Sequence, residues 1–168
     1  MKRTSRVLSA ALTAIFCIGL LTGLPPSAKA ADDYPSEYKS AEHSTVVDRW
    51  RFFNRECTSF VAWCLESRNG VVGFNNRYGG VLWGNAKDWA GGARALGIVV
   101  DMNPAVGSVA WTDDGIYGHV AWVSAVSGDN ITIEDYNSWG YSGAYNVRTV
   151  HKSTFRGFIH IKDMIAVP

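Results

Sequence analysis

The chain has 168 residues, 18% of them charged, and a formal net charge of +1. This length suits one compact domain and is too short for two ordinary ones. Sixteen basic residues against fifteen acidic ones lack the positive excess that a nucleic-acid-binding domain carries, so that class of protein is excluded.

Residues 1–30 have the pattern of an export signal. Basic residues precede an apolar run over residues 7–24, and Ala28-Lys29-Ala30 fits the small-x-small cleavage site of a secretory signal peptide. The alternative is a retained membrane anchor, because the run is close to the length of a membrane span, but Pro25-Pro26 and the cleavage site favour removal. Cleavage would take away four basic residues and no acidic one, which leaves 138 residues and a net charge of −3. We therefore expect a secreted, extracellular protein without a stable membrane anchor.

The segment after the signal divides into an arm and a domain. Residues 31–45 are polar and predict a flexible N-terminal arm, and one domain follows over residues 46–163. An amphipathic segment from Val46 predicts a first helix. Asn54 is the predicted N-cap of a second helix of roughly a dozen residues, which ends at Asn69-Gly70.

Two cysteines remain after cleavage, Cys57 and Cys64, and both lie in the second predicted helix. Seven residues of helix separate their Cα atoms by roughly 10 Å, whereas a disulfide needs less than about 7 Å. The two thiols are therefore predicted to stay unpaired, although two cysteines in an exported protein ordinarily suggest a disulfide.

The rest of the chain predicts a loop, a helix and then strands. Residues 70–84 are rich in glycine, asparagine and aromatic residues, which is typical of a surface loop, and residues 85–96 predict a helix. After Pro104 the apolar residues alternate with a period of two. The predicted strands cover residues 106–111, 119–126, 131–137, 145–149 and 155–161. Helices packed on an antiparallel sheet of about five to six strands define an α+β domain.

Cys57 has the position of a nucleophile. It lies in the first turn of its predicted helix, where free N–H groups and the helix dipole favour a thiolate. The same N–H groups can contribute to an oxyanion hole. Cys64 lies two turns further along on the apolar stripe, where a buried hydrophobic role is expected. A packed thiol is the alternative interpretation for Cys57 when it is considered alone.

A cysteine nucleophile needs a base, and His119 is the best-placed histidine. It follows Gly118 at the start of a predicted strand. The other candidates are His43 in the arm, His151 in a polar loop and His160 within an apolar strand.

The next predicted strand carries two polar residues on a face that begins apolar. Alternation places Asp135 and Asn137 on the face of two preceding isoleucines, as a site at the end of a sheet requires. A strand that emerges into solvent is the alternative. His119 shares this face only if the connecting loop has an odd number of residues. We predict a three-residue loop with Asn130 in the left-handed conformation, since a two-residue loop would separate His119 from Asp135.

Together these residues resemble the CHAP family of cysteine, histidine-dependent amidohydrolases/peptidases. Residues 54–63 resemble the nucleophile helix of the family, and residues 118–123 resemble its histidine strand. The Asp135-x-Asn137 pair falls where the family has an acidic residue followed by an asparagine. The resemblance extends over residues 46–161.

This resemblance implies a papain-like α+β fold and a secreted hydrolase of amide bonds in peptidoglycan. The enzyme would be an N-acetylmuramoyl-L-alanine amidase or an endopeptidase of the peptide cross-links. Cys57 would be the nucleophile, His119 the base, Asp135 the acid that orients the histidine and Asn137 an accessory polar residue. The family usually has glutamate at the acidic position, and Asp135 is one methylene shorter. Either Asp135 or Asn137 is therefore the orienting residue.

Two tryptophans and an acidic run are further candidates for ligand contacts. Trp83 and Trp139, each beside a glycine in a loop, are candidates to line a substrate groove. The acidic run Asp113-Asp114 lacks the ligand spacing of a calcium loop, so we expect a solvated turn there and neither metal nor organic cofactor.

The expected partner is the stem peptide of cell-wall peptidoglycan, and the expected oligomeric state is a monomer. Two alternatives stay open. The chain could bind the cell wall without cleaving it, or it could be a Cys–His amidase that acts on an amide outside the wall.

Overall fold

The computed structural model describes residues 32–138 and 143–164, where helices precede an antiparallel sheet and the α+β prediction is confirmed. The predicted signal peptide lies outside these residues. The α-helices within them are α1 (Ser36–Lys39), α2 (Cys57–Ser67) and α3 (Trp89–Ala95), and 3-10 helices cover Tyr78–Gly80, Ala86–Asp88 and Lys152–Thr154. None of the helices in these two ranges has the length and apolar character needed to cross a bilayer.

The strands form one antiparallel sheet. They are β1 (Val100–Asp101), β2 (Val109–Thr112), β3 (His119–Ser127), β4 (Asn130–Tyr136), β5 (Tyr145–His151) and β6 (Gly157–Ile159). Their order across the sheet is β1-β6-β2-β3-β4-β5, and each neighbouring pair is antiparallel. The nine-residue β3 therefore lies between β2 and β4, so that the start of β3 meets the end of β4.

Both faces of the central strands β2, β3 and β4 are largely buried, and alternation divides their residues between two cores. Val120 and Trp122 belong to the core that β3 shares with α2. Ala121 and Val123 point the other way, into a second core with residues of β4 and β6. A slip of one residue would exchange these two sets, so burial on both faces strongly favours one register.

Residues 32–45, for which polarity predicted a flexible arm, pack against the domain. Tyr34 is 1% exposed, and its hydroxyl donates to Ser59 Oγ in α2 at 2.5 Å. Ser59 in turn donates to the buried carboxylate of Asp48. One aromatic side chain thus attaches this polar segment to the core.

The helix that carries Cys57 begins at Cys57 and not directly after Asn54. Asn54 is fully buried, and its side-chain oxygen accepts the backbone N–H groups of Thr45 at 3.1 Å and Val46 at 2.9 Å. Glu56 takes the N-cap position in an extended conformation without a side-chain capping bond. Cys57 is therefore the first residue of α2, where the backbone N–H groups have no partner within the helix.

The helix predicted from Val46 is wrong. Val47 pairs with Phe53 across a turn in which Arg51 has a φ of 68°. Arg51 therefore lies in the left-handed region, which interrupts a right-handed helix, and the segment folds back on itself instead.

Gly118, immediately before His119, has no room for a side chain. Its φ is +72°, and a Cβ atom there would lie 2.5 Å from the backbone nitrogen of Lys87 and 2.6 Å from the backbone oxygen of Thr112. Gly115 in the same loop has a similar φ of +79° but no atom within 4 Å of such a Cβ.

We expect Gly118→Ala to lower the free energy of unfolding by roughly 3 kcal/mol, and Gly115→Ala by about 1 kcal/mol. Urea titrations measure both, and equal losses would contradict the close packing at Gly118.

Candidate active site

A cleft of about 930 Å³ opens where the start of α2 meets the start of β3. Cys57 lines it from the helix, His119 from the strand and Asn137 from the end of β4. Four apolar side chains that are 52% to 75% exposed lie along its walls: Phe53, Leu82, Ile116 and Tyr117. The nucleophile and base predicted from the sequence therefore lie together in one open cleft.

The imidazole ring of His119 lies between Cys57 and Asp135. Its Nε2 is 2.9 Å from Asp135 Oδ2, which leaves Nδ1 for the hydrogen bond with the Cys57 thiol. Burial alone would lower the pKa of His119, but the negative charge of Cys57 and the hydrogen bonds to Asp135 and Cys57 raise it to about 10. At neutral pH the raised pKa therefore favours an imidazolium at His119, and a neighbouring imidazolium is the kind of group that activates a cysteine nucleophile.

The turn between β3 and β4 is shorter than predicted. Ser127 pairs with Asn130, so the loop has two residues, and Asn130 is not in the left-handed conformation. Taken alone, a two-residue loop would place His119 and Asp135 on opposite faces of the sheet.

A β-bulge at Ser124 restores the shared face. The register shifts by one between Val123 and Ala125, so that Ser124 is an extra residue in β3. Ser124 is buried, and its hydroxyl donates to the carbonyl oxygen of Thr132 at 3.2 Å. The histidine and the acid therefore meet as predicted, but for a different reason.

Arg148 on β5 completes the surroundings of Asp135, and sequence reasoning missed it. Its Nη1 donates to Oδ1 of Asp135 at 3.1 Å, and its Nη2 donates to Oδ2 at 2.8 Å. A signal was present in the sequence, since alternation along β5 places Arg148 on the face of Val150, which packs against the second core.

Asn137 lines the cleft but makes its own contacts away from His119. It has a φ of 54°, and its amide donates to Glu56 Oε2 at 2.7 Å and accepts the backbone N–H of Gly143 at 3.0 Å. Of the two residues considered for orienting the histidine, Asp135 is the one bonded to it. Asn137 instead links the end of β4 to the start of α2.

Trp83 belongs to the core and not to the cleft, which corrects the groove assignment. It is fully buried, with its ring centroid 5.0 Å from that of Phe74 and 5.3 Å from that of Trp89. Its neighbour Leu82 lines the cleft instead. The flanking glycine correctly indicated a loop, but a loop has no period from which side-chain direction can be predicted. Trp139 lies outside the described residues.

Cys64 is fully buried, and Cys57 and Cys64 are both free thiols within the same helix. Burial raises the pKa of the Cys64 thiol well above its usual value.

The acidic turn makes ion pairs with a neighbouring arginine. Asp113 and Asp114 lie 3.4 Å and 2.8 Å from the guanidinium of Arg156. In residues 32–138 and 143–164, the histidine, cysteine and acidic side chains form no group that could hold a metal ion.

The geometry can be compared with known proteins. The CHAP domain family model matches residues 47–137, which include Cys57, His119 and Asp135. The chain belongs to the CHAP domain family. The family predicted from the sequence is therefore confirmed.

The curated relatives of this CHAP domain are staphylococcal proteins. The N-acetylmuramoyl-L-alanine amidase sle1 of Staphylococcus epidermidis is 40% identical over 108 residues, which are 62% of this chain and 31% of that protein. The staphylococcal secretory antigen SsaA of the same species is 36% identical over 83 residues, 49% of this chain and 32% of that protein. This chain thus spans about a third of the length of the curated relatives it matches.

A solved structure shares the fold. The crystal structure of an N-acetylmuramoyl-L-alanine amidase from Staphylococcus aureus matches with a TM-score of 0.52 and 24% identity, over 76% of this chain and 36% of that one. The predicted α+β CHAP fold is confirmed.

The two thiols are expected to differ in reactivity. Cys57 is 8% exposed and lines the cleft beside the His119 imidazolium, whereas Cys64 is fully buried and its thiol has a strongly raised pKa. Iodoacetamide at neutral pH should label Cys57 in the folded protein at least roughly 100-fold faster than Cys64. Peptide mass spectrometry gives both rates, and in urea the two should become similar. Comparable labelling of the two thiols in the folded protein would contradict the assignment.

The raised pKa of His119 predicts a pH-dependent stability. The folded protein keeps the His119 proton up to about pH 10, whereas an unfolded histidine releases it near pH 6.5. This contribution to stability is fully present below about pH 6.5 and is lost as the pH rises through about 10. Urea titrations in this window should show the wild type losing stability more steeply than His119→Gln. Parallel curves would argue against the ion pair.

Proposed function

We propose that this chain is a secreted peptidoglycan hydrolase that cleaves amide bonds with Cys57 as nucleophile and His119 as proton carrier. The observation that carries the proposal is the buried His119–Asp135 hydrogen bond beside Cys57 in an open cleft. The names of the relatives, an amidase and a secretory antigen, support a wall substrate and export. Residues 1–30 would be the signal peptide and residues 46–163 the catalytic domain.

The first half of the reaction is acylation. The Cys57 thiolate attacks the amide carbonyl carbon, and the carbonyl electron pair moves onto oxygen. Backbone N–H groups at the start of α2 are placed to stabilise this oxyanion. The C–N bond then breaks as His119 Nδ1 gives its proton to the departing nitrogen, which leaves a thioester on Cys57 and a free amine.

The second half is hydrolysis of the thioester. His119, now neutral, takes a proton from water as the water oxygen attacks the thioester carbon. The C–S bond breaks, the carboxylic acid product leaves, and the thiolate–imidazolium pair is restored. These steps use only protein groups and water.

Asp135 and Asn137 take different parts in this proposal. Asp135 accepts a hydrogen bond from Nε2–H of His119 and so fixes the ring with Nδ1 toward the sulfur. Asn137 acts as an accessory residue, because its bond to Glu56 holds the start of α2 against the end of β4. The substrate would be held between the apolar side chains of the cleft.

Digestion of purified cell wall tests the reaction. The exported protein and its Cys57→Ala variant are incubated with isolated peptidoglycan, and the released fragments are identified by mass spectrometry. We expect new amine ends that the variant produces at least about a thousandfold more slowly. The position of the new end separates an amidase, which frees the stem peptide from muramic acid, from an endopeptidase, which opens a cross-link.

Cys64→Ala is the matched control, because it removes the other thiol without touching the cleft. It should lower stability and leave the cleavage pattern unchanged. Equal wall binding by the wild type and Cys57→Ala, with no cleavage by either, would favour a binding module. Cleavage of simple amides but not of peptidoglycan would favour an amidase that acts outside the wall.

A further inference from the structure

Asp135 is a fully buried carboxylate held between two cations. Its Oδ2 accepts Nε2–H of His119 at 2.9 Å and Nη2–H of Arg148 at 2.8 Å, while its Oδ1 accepts Nη1–H of Arg148 at 3.1 Å. The arginine therefore uses both arms of its fork on one carboxylate, and one carboxylate oxygen is shared with the catalytic histidine. A bidentate pair of this kind fixes direction as well as charge.

The position of Arg148 follows from the pairing of β4 and β5. Arg148 lies opposite Ile133, and Asp135 lies opposite Asn146, so both members of the ion pair project from the same face on a diagonal. Ser138 Oγ accepts a second hydrogen bond from Nη1 of Arg148 at 3.2 Å. The guanidinium is thus held from two sides.

A short acid needs such support more than a long one. A glutamate could reach the histidine through an additional methylene, whereas Asp135 must present one oxygen from a carboxylate close to the backbone. Rotation of that carboxylate about its Cβ–Cγ bond would move Oδ2 away from His119. The fork of Arg148 opposes this rotation, because turning the carboxylate would break two hydrogen bonds at once.

The charges are consistent with this role. In the reactive form that the proposed reaction requires, Cys57 thiolate, His119 imidazolium, Asp135 carboxylate and Arg148 guanidinium alternate in sign along a chain of contacts and sum to zero. Without the arginine, the buried groups would carry a net negative charge, which burial disfavours.

We propose that Arg148 is a positioning residue for the reaction proposed above. It holds the Asp135 carboxylate at the angle at which Oδ2 accepts the hydrogen bond from Nε2–H of His119, and so keeps Nδ1 directed at Cys57. Arg148 touches neither the sulfur nor the cleft and acts only through Asp135.

Two rates measure this role. The rate of Cys57 labelling by iodoacetamide reports on the thiolate–imidazolium pair and needs no substrate. The kcat and KM for soluble peptidoglycan fragments report on the reaction. If the peptidoglycan assignment fails, the labelling rate still decides the role of Arg148, so the two failures are distinguishable.

We expect Arg148→Met to lower kcat and the labelling rate by about 10- to 100-fold, with KM changed less than about twofold. Arg148→Lys keeps the positive charge but cannot make the bidentate hydrogen bond, so its kcat should lie between those of the wild type and Arg148→Met. Lys152→Met is the matched control. Lys152 is 31% exposed against 30% for Arg148 and pairs with Asp129 at the far end of β5, so its loss should leave both rates unchanged.

A double-mutant cycle separates positioning from general structural support. In the Asp135→Asn background, Arg148→Met should change either rate by less than about twofold, because the group through which it acts is already altered. The same loss in both backgrounds would overturn the proposal. If Arg148→Met does not fold, the Arg148→Lys variant is measured in its place, with Asp135 unchanged. Wild-type kcat and labelling rate for that variant would also overturn the proposal.

Discussion

The hydrogen bond between His119 and Asp135 is the interaction on which the geometry of the candidate site depends, and three separate features of the fold maintain it. Gly118 lets the backbone enter β3 against Lys87 and Thr112 without a side chain in the way. The bulge at Ser124 turns the start of β3 so that the histidine faces the acid. Burial on both faces of the sheet then holds this register, since a slip would move polar groups into either core. A single bond at the edge of the cleft thus rests on packing that extends through the sheet.

Much of the site could be read from the sequence because it rests on local periods. The helical stripe around Cys64 and the alternation around Asp135 each assign a direction to a side chain from its neighbours alone. Those periods were enough to separate Cys57 from Cys64 and to place Asp135 and Asn137 on one face. The type and order of most elements followed from the same rules, while the exact start of α2 did not.

The errors lie where the chain makes non-local contacts. No local pattern marks Ser124 as an extra residue, because a bulge is defined by the pairing of two strands. A three-residue loop and a two-residue loop with one extra strand residue both place His119 and Asp135 on the same face of the sheet. The predicted pair of residues is therefore correct although the predicted register is wrong. The prediction that Trp83 lines the groove is wrong for a related reason. The direction of its side chain is set by packing against Phe74 and Trp89, which a loop sequence does not reveal. The sequence predicts Asn54 as an N-cap, but its side-chain oxygen accepts the backbone N–H groups of Thr45 and Val46 instead.

The burial of Cys64 has a consequence for how the protein responds to oxidants. In the described part of the chain it is the only other thiol, and it is enclosed in the core away from the cleft. A small oxidant such as peroxide can reach Cys57 and convert it to a sulfenic acid, but no neighbouring thiol is in reach to trap that state as a disulfide. Further oxidation of the sulfur is irreversible without a dedicated repair enzyme. Under the proposed function, the working lifetime of an exported molecule would then be limited by the survival of this one sulfur atom.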